Sequence, residues 1–228
     1  MSQTELILAL DLPGADPVRR LLDRLPEVRW VKIGSILMTR EGPGLVGELA
    51  DRGLQVFLDL KWHDIPNTVR EAVEAARELG VAMATVHTLG GPEMMAAAAE
   101  AAAGRLAVVG VTVLTSHSPA TYGSAVGRPV PDLAMEAVRQ ARNAISAGLS
   151  GLVCSPHEAA MVRAAVGPGP LVVVPGIRRA EDARDDQSRA ADPASAARAG
   201  ATHLVIGRPV LRAPDPGEAW KSFLAARV

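Results

Sequence analysis

The chain has 228 residues, 48% of them hydrophobic, which is enough apolar material to fill a single core. Twenty-four Lys and Arg against 25 Asp and Glu leave a formal net charge of −1, so no global field draws the chain to nucleic acid or to an anionic membrane. No apolar run approaches the ~18 residues of a membrane span, and the single cysteine, Cys154, excludes an intramolecular disulfide framework and a cysteine zinc cluster. Met1–Pro13 lacks the basic start and long apolar stretch of a signal peptide, so the expectation is a soluble cytoplasmic protein.

Short apolar runs alternate with amphipathic stretches along the whole sequence. The runs Glu5–Leu10, Arg29–Ile33, Leu54–Leu60, Val81–Val86, Leu106–Leu114, Gly151–Cys154, Leu171–Val174 and His203–Ile206 are too short for buried helices and read as buried strands. Between them, Pro17–Leu25, Pro43–Arg52, Asn67–Leu79, Pro92–Ala103, Pro131–Ala147, Pro156–Ala165, Pro193–Ala199 and Asp215–Ala226 read as helices, several opening on proline as helix starts prefer. The Ala-rich Met95–Ala103 is helix former rather than low complexity. Strict alternation implies a parallel sheet. Eight β-then-α units predict a compact (β/α)8 TIM barrel spanning residues 1–228 as one domain. An open doubly wound sheet would want a Gly-rich turn after the first strand, where the chain has Asp11-Leu12-Pro13-Gly14 instead. One segment, Arg178–Ala191, is charged and poor in apolar residues, and reads as a long functional or disordered loop.

In a barrel of this kind the chemistry sits at the C-terminal ends of the strands. Polar residues there are Asp11, Lys32, the run Asp59-Leu60-Lys61-Trp62-His63-Asp64, His87, Thr115-Ser116, Pro175-Gly176-Ile177-Arg178 and Gly207-Arg208. Only three of the 24 basic residues are lysines, Lys32, Lys61 and Lys221. Because arginine stays protonated at any working pH, a lysine retained at a strand end is the natural candidate for a proton donor. Lys221 reads as solvated surface. Asp59 and Lys61, two apart, share one face of a strand. With Asp64 and with Lys32 on the neighbouring strand they suggest a cluster of alternating charges, each keeping its neighbours ionised. An ordinary barrel salt bridge fits the same residues.

Gly207 and Arg208 close the eighth strand, where barrels commonly hold a phosphate on loop amides and an arginine fork, with Arg178 as a second positive charge. Alternatively Gly207 only turns the chain and Arg208 only lies along its surface. His87 reads as a hydrogen-bonded structural histidine and Met94-Met95 as helix packing. His63 and Asp64 with Asp11 or Asp59 could offer imidazole and carboxylate to a metal, and spacing leaves that open. The six aromatics are too scattered for a nucleic-acid stacking platform.

The run Asp59-Leu60-Lys61-Trp62-His63-Asp64-Ile65-Pro66-Asn67-Thr68 resembles the DxKxxDIPNT signature of orotidine 5'-phosphate decarboxylases. The likeness continues in order through Leu10-Asp11, Val31-Lys32-Ile33-Gly34, Val113-Leu114-Thr115-Ser116, Pro175-Gly176-Ile177-Arg178, Asp186-Gln187 and Val205-Ile206-Gly207-Arg208-Pro209. DxKxxD alone is shared with magnesium-dependent hexulose-phosphate synthases and gulonate-phosphate decarboxylases. The Ile65–Thr68 extension and Gln187 favour the orotidylate enzyme, and Trp62 stands where the family has Phe.

The resemblance implies loss of CO2 from orotidine 5'-monophosphate to give UMP, without metal or organic cofactor. It implies a catalytic group of Lys61, Asp59, Asp64 and Lys32. Substrate would be bound by Asp11, Lys32, Ile65, Thr68, Thr115, Pro175, Arg178, Gln187, Gly207 and Arg208. It also implies a homodimer in which Asp64 and Thr68 reach the neighbouring subunit's site. A magnesium-dependent sugar-phosphate lyase or epimerase and a non-catalytic phosphate-ligand binder are the competing readings.

Overall fold

A computed structural model describes residues 4–179 and 191–227. Eight parallel strands close into a barrel in the order β1 to β8, each hydrogen-bonded to the next and β8 to β1. The strands are β1 (Glu5–Ala9), β2 (Trp30–Gly34), β3 (Gln55–Trp62), β4 (Met83–His87), β5 (Ala107–Val111), β6 (Gly151–Val153), β7 (Leu171–Val174) and β8 (His203–Ile206). The helices among the described residues are α1 (Ala15–Asp23), α2 (Ser35–Glu41), α3 (Pro43–Asp51), α4 (Pro66–Glu78), α5 (Gly91–Ala102), α6 (Pro119–Ala125), α7 (Leu133–Ser146), α8 (Ala159–Val166), α9 (Pro193–Arg198), α10 (Arg208–Leu211) and α11 (Pro216–Ala226).

The eight expected units are all present, with three corrections. Helices α2, α6 and α10 lie in stretches given no helix from sequence; each spans seven residues or fewer, too short for a helical apolar stripe to declare itself. The expected fifth strand stops at Val111 rather than Leu114, and β3 runs on to Trp62 rather than ending at Leu60. The helices expected from Pro43 and Pro193 start there, and the other helix starts shift by one to three residues. Proline sits in the first turn of α3, α4, α5, α6, α9, α10 and α11, where its missing N–H costs nothing.

Two apolar layers hold the barrel. The larger packs helices on the outside of the sheet, with Leu8, Val31, Leu58, Ala84 and Val172 facing Val18, Leu49, Val73, Ala98 and Trp220. The smaller fills the interior with Ile7, Ala9, Phe57, Met83, Val109, Val173 and Val205. Side chains alternate along each strand, so the residue two further on again points inward. From Phe57 that residue is Asp59, from Met83 it is Thr85, and from Trp30 it is Lys32. The interior thus changes from hydrocarbon to charge within one layer, and that layer opens at the C-terminal mouth.

At the opposite end, His203 is 7% exposed, edge-on to the Trp30 ring (centroids 5.2 Å, planes at 81°), and Thr202 Oγ1 lies 2.9 Å from its Nδ1. Burial depresses its pKa from 6.5 to about 4. Between those values the unfolded chain binds a proton that the folded chain refuses, so stability is full above pH 6.5 and is lost as pH falls toward 4. From this residue alone the loss reaches about 3 kcal/mol at 1.36 kcal/mol per pKa unit. Urea unfolding at pH 7 and pH 4 should show a smaller pH-dependent loss in His203→Gln than in the parent; equal losses would contradict a buried neutral imidazole.

Candidate active site

Four charged side chains from three adjacent strands meet at the mouth. Asp59 Oδ1 accepts from Lys61 Nζ at 2.9 Å, and Asp59 Oδ2 lies 3.5 Å from Lys32 Nζ. Lys32 Nζ lies 3.4 Å from Asp11 Oδ1 at the end of β1. The sequence Asp11–Lys32–Asp59–Lys61 therefore alternates in sign. Asp59 and Lys32 are well covered, while Lys61 and Asp11 face the opening. Burial works to raise the Asp59 pKa, but the charges of Lys32 and Lys61, with hydrogen bonds from Lys61 and Thr85, outweigh it and hold the carboxyl below its ordinary value.

Regular strand alternation does not by itself explain how Lys61 meets Asp59. The β3–β4 pairing shifts register between Leu58 and Trp62, and Lys61 has φ 53, in the left-handed region that side chains avoid. The Lys61 amide donates to Thr85 Oγ1 at 2.8 Å, and Thr85 Oγ1 donates to Asp59 Oδ1 at 3.1 Å. Thr85 was not among the residues singled out from sequence. Its signal was there: a lone hydroxyl in an apolar run, two residues beyond the inward-facing Met83.

Lys32, Asp59, Lys61, Thr115 and Pro175 line a cavity of ≈ 180 Å³, closed on its far side by Val111, Val153, Cys154 and Val205. The lining combines charged and polar groups with hydrocarbon. A second hollow of ≈ 410 Å³ lies on the other side of the same charges, lined by Asp11, Leu12, Pro13, Gly34, Ile36 and Arg40 together with Lys32, Asp59 and Lys61. The Cys154 thiol is buried, and burial raises its pKa, so it is a wall and not a nucleophile.

The remaining sequence-predicted residues fall around this centre. Gly207 caps α10, and a Cβ built on it would lie 3.4 Å from Ala9 Cβ and 3.7 Å from Asp11 Oδ2, so the eighth strand ends against the first. Arg208 opens α10 and is half-buried. Arg178 is buried; its Nη1 donates to the Ile177 carbonyl and its backbone N–H to Ala191. Asp64 stands apart from the four-charge cluster. It is exposed, its Oδ1 accepts from the Ile65 amide at 2.7 Å, and among the described residues of this chain no cation pairs with it. Ile65 is 66% exposed and Thr68 faces solvent on α4. Gln187 lies outside the described residues. His87 stacks on His63 (centroids 5.6 Å, planes at 25°) and accepts the Leu89 N–H, and burial with the nearby His63, Lys61 and His117 lowers its pKa to about 4. Met94 is fully buried against Gly90. Trp62 pairs with Val86 and packs on the outer core.

A buried carboxylate supports the loop that carries Thr115. Glu136 on α7 accepts from Arg128, Arg139, Gln140 and the Tyr122 hydroxyl. Its pKa falls to about 2, chiefly through the Arg139 hydrogen bond, against burial and with help from Arg128 and Gln140. Gln140 in turn accepts from Thr88, and Tyr122 meets His117 edge-on at 5.5 Å. Sequence reasoning missed this network, because its members are scattered from Thr88 to Gln140, 52 positions apart, with no motif spacing.

Comparison with known proteins fixes the lineage. Residues 4–223 match the model of the orotidine 5'-phosphate decarboxylase / HUMPS family. The chain belongs to that family. It is 52% identical over 225 residues to an orotidine 5'-phosphate decarboxylase of Opitutus terrae, covering 97% of each chain. It is 51% identical over 220 residues to one of Anaeromyxobacter sp., covering 95% of each. The crystal structure of orotidine 5'-phosphate decarboxylase from Lactobacillus acidophilus superposes with a TM-score of 0.87 at 31% identity, covering 98% of both chains. An uncharacterized conserved protein of Geobacillus kaustophilus has the same fold, with a TM-score of 0.83 at 32% identity.

Proposed function

We propose that this protein removes CO2 from C6 of orotidine 5'-monophosphate to give UMP, the last step of de novo pyrimidine nucleotide synthesis, with Lys61 as proton donor and no metal. The observation that carries the reading is the Lys61 ammonium, held 2.9 Å from a mostly covered Asp59 and facing a cavity walled by hydrocarbon on its far side.

The chemical difficulty is the electron pair left on C6 when the C–C bond breaks. It lies in the plane of the ring, where the π system cannot share it, so stabilisation has to come from outside the base. The ammonium of Lys61 supplies positive charge at that point and then transfers a proton to C6, completing UMP. Asp59 orients Lys61 and lies near the departing carboxylate. Lys32 and Asp11 would take ribose hydroxyls, and Thr115 the pyrimidine. The Gly207 amide, Arg208 and Gln187 would hold the phosphate, with Pro175 lining the cavity and Arg178 fixing the base of the loop. Phosphate is remote from C6, so its binding energy can be spent on excluding water and aligning the base, raising turnover as well as affinity.

Metal independence is supported by the donor set. Both oxygens of Asp59 and one of Asp11 already face ammonium groups of the chain itself, so these carboxylates are matched without a metal. The homodimer is supported by what one chain leaves unfilled. Asp64, Ile65 and Thr68 are exposed, and the hollow beside Lys61 is bordered by Ile36, 69% exposed. In this reading each subunit's Asp64-Ile65 turn enters the hollow of the other, placing a second carboxylate beside Lys61.

Purified protein given orotidylate should lose the substrate's ultraviolet absorbance and yield UMP, with undiminished rate after chelation and metal removal; a rate restored only by magnesium would favour the sugar-phosphate branch of the family. In the same assay Lys61→Ala should lower turnover by about 10⁴-fold or more while retaining UMP binding; near-normal turnover would refute the proton donor. Arg208→Ala should weaken UMP far more than uridine. Sedimentation should give twice the chain mass, and mixing inactive Lys61→Ala with inactive Asp64→Ala chains should regenerate activity in hybrid dimers; no regain after verified exchange would refute the shared site.

A further inference from the structure

We propose that Thr85, in the middle of β4, is a positioning residue that sets the reach of Lys61 by tying the Lys61 backbone to the Asp59 carboxylate. The inference rests on the decarboxylase reading for its kinetic consequence and on geometry alone for its structural one.

Among the described residues, the non-glycine residues with positive φ are Lys61 and Ala103. Ala103 caps the C-terminus of α5, an ordinary place for a left-handed residue. Lys61 lies at the end of a strand, where nothing in local propensity favours φ 53, and such a conformation persists only when surrounding contacts enforce it. The enforcing contact is the 2.8 Å hydrogen bond from the Lys61 amide to Thr85 Oγ1. It replaces the ladder bond that the register shift between Leu58 and Trp62 disrupts.

This bond also fixes the hydroxyl's polarity. A threonine hydroxyl carries one proton, and here its oxygen is already an acceptor from Lys61. The proton is free for Asp59 Oδ1, 3.1 Å away, the same oxygen that accepts from Lys61 Nζ at 2.9 Å. One hydroxyl therefore holds both ends of the Asp59–Lys61 pair: the main chain from which the ammonium is suspended and the carboxylate to which it is tethered. Thr85 is fully buried, so water has no access to take its place. Without the hydroxyl, the Lys61 N–H loses its partner, φ can relax toward the extended region, and the Cα–Cβ bond that aims the ammonium swings with it.

The test compares Thr85→Val, which keeps the shape and removes the hydroxyl, with Thr85→Ser, which keeps the hydroxyl. All are made in the full chain and checked by circular dichroism. Thr85→Val should lower kcat on orotidylate by about 100-fold, as a displaced catalytic group does, with KM changed less than about threefold. Thr85→Ser should recover kcat to within about threefold of the parent. A second readout needs no turnover. The chain has three lysines, so selectively labelled ε-CH2 resonances can be followed individually. Lys61 should move in Thr85→Val and return in Thr85→Ser, with Lys221 unmoved in both.

The proposal is overturned by parental kcat in Thr85→Val, by an unmoved Lys61 resonance, or by Thr85→Ser as impaired as Thr85→Val. Should Thr85→Val fail to fold, Thr85→Ala carries the same comparison. If the parent does not act on orotidylate, the functional reading falls, and the Lys61 resonance alone decides the role of Thr85.

Discussion

The structure turns on one carboxylate shared between two ammonium groups. Burying Asp59 alone would push it toward its neutral form, and Lys32, itself largely covered, brings a compensating positive charge. With Lys32 at 3.5 Å and Lys61 at 2.9 Å on the other oxygen, the two ammonium groups supply what burial removes from the carboxylate. An opposite charge near 4 Å is worth about 4 kcal/mol at an effective dielectric near 20, enough to offset the desolvation of partly covered groups. The site is charged before any substrate arrives, and reorganisation at the moment of reaction is correspondingly small.

The barrel makes this arrangement possible by changing character along its axis. Trp30 and His203 fill one end, Phe57, Met83 and Val109 the middle, and Lys32, Asp59 and Thr85 begin the mouth. Hydrocarbon beneath the charges keeps water from approaching them from below. Above them, the loop from β5 brings Thr115 to the cavity and is braced from behind by Tyr122, Glu136 and Gln140. Rigidity comes from strands and a buried polar network, while Gly207 and Arg208, the proposed phosphate contacts, sit at the start of the short helix that follows β8.

Much of this was legible in the sequence, for identifiable reasons. Eight strands were visible because both faces of a parallel barrel strand are buried, leaving continuous apolar runs such as Leu171–Val174. Asp11, Lys32, Asp59 and Lys61 stood out because they are charges at the ends of apolar runs, where a surface charge is less expected. The alternation argument for Asp59 and Lys61 named the right pair through an oversimplified geometry, because no sequence pattern announces that a lysine will adopt φ 53. Thr85 was hidden since threonine is an ordinary strand residue, and its role exists only through a neighbour 24 positions away. The short helices α2, α6 and α10 escaped because periodicity needs length to show. Asp64 looked from spacing like a fourth member of the cluster; within one chain that place is taken by Asp11, which strand order, not sequence distance, brings beside Lys32.

The central claim is that pairing defeats burial at Asp59, and a carbon-13 titration of its carboxyl group measures that competition directly. The account predicts a midpoint below the ordinary aspartate value, with the resonance constant through neutral pH. A midpoint above that value would mean that burial prevails, that Lys61 has no anion to hold it, and that the charged centre described here does not exist in solution.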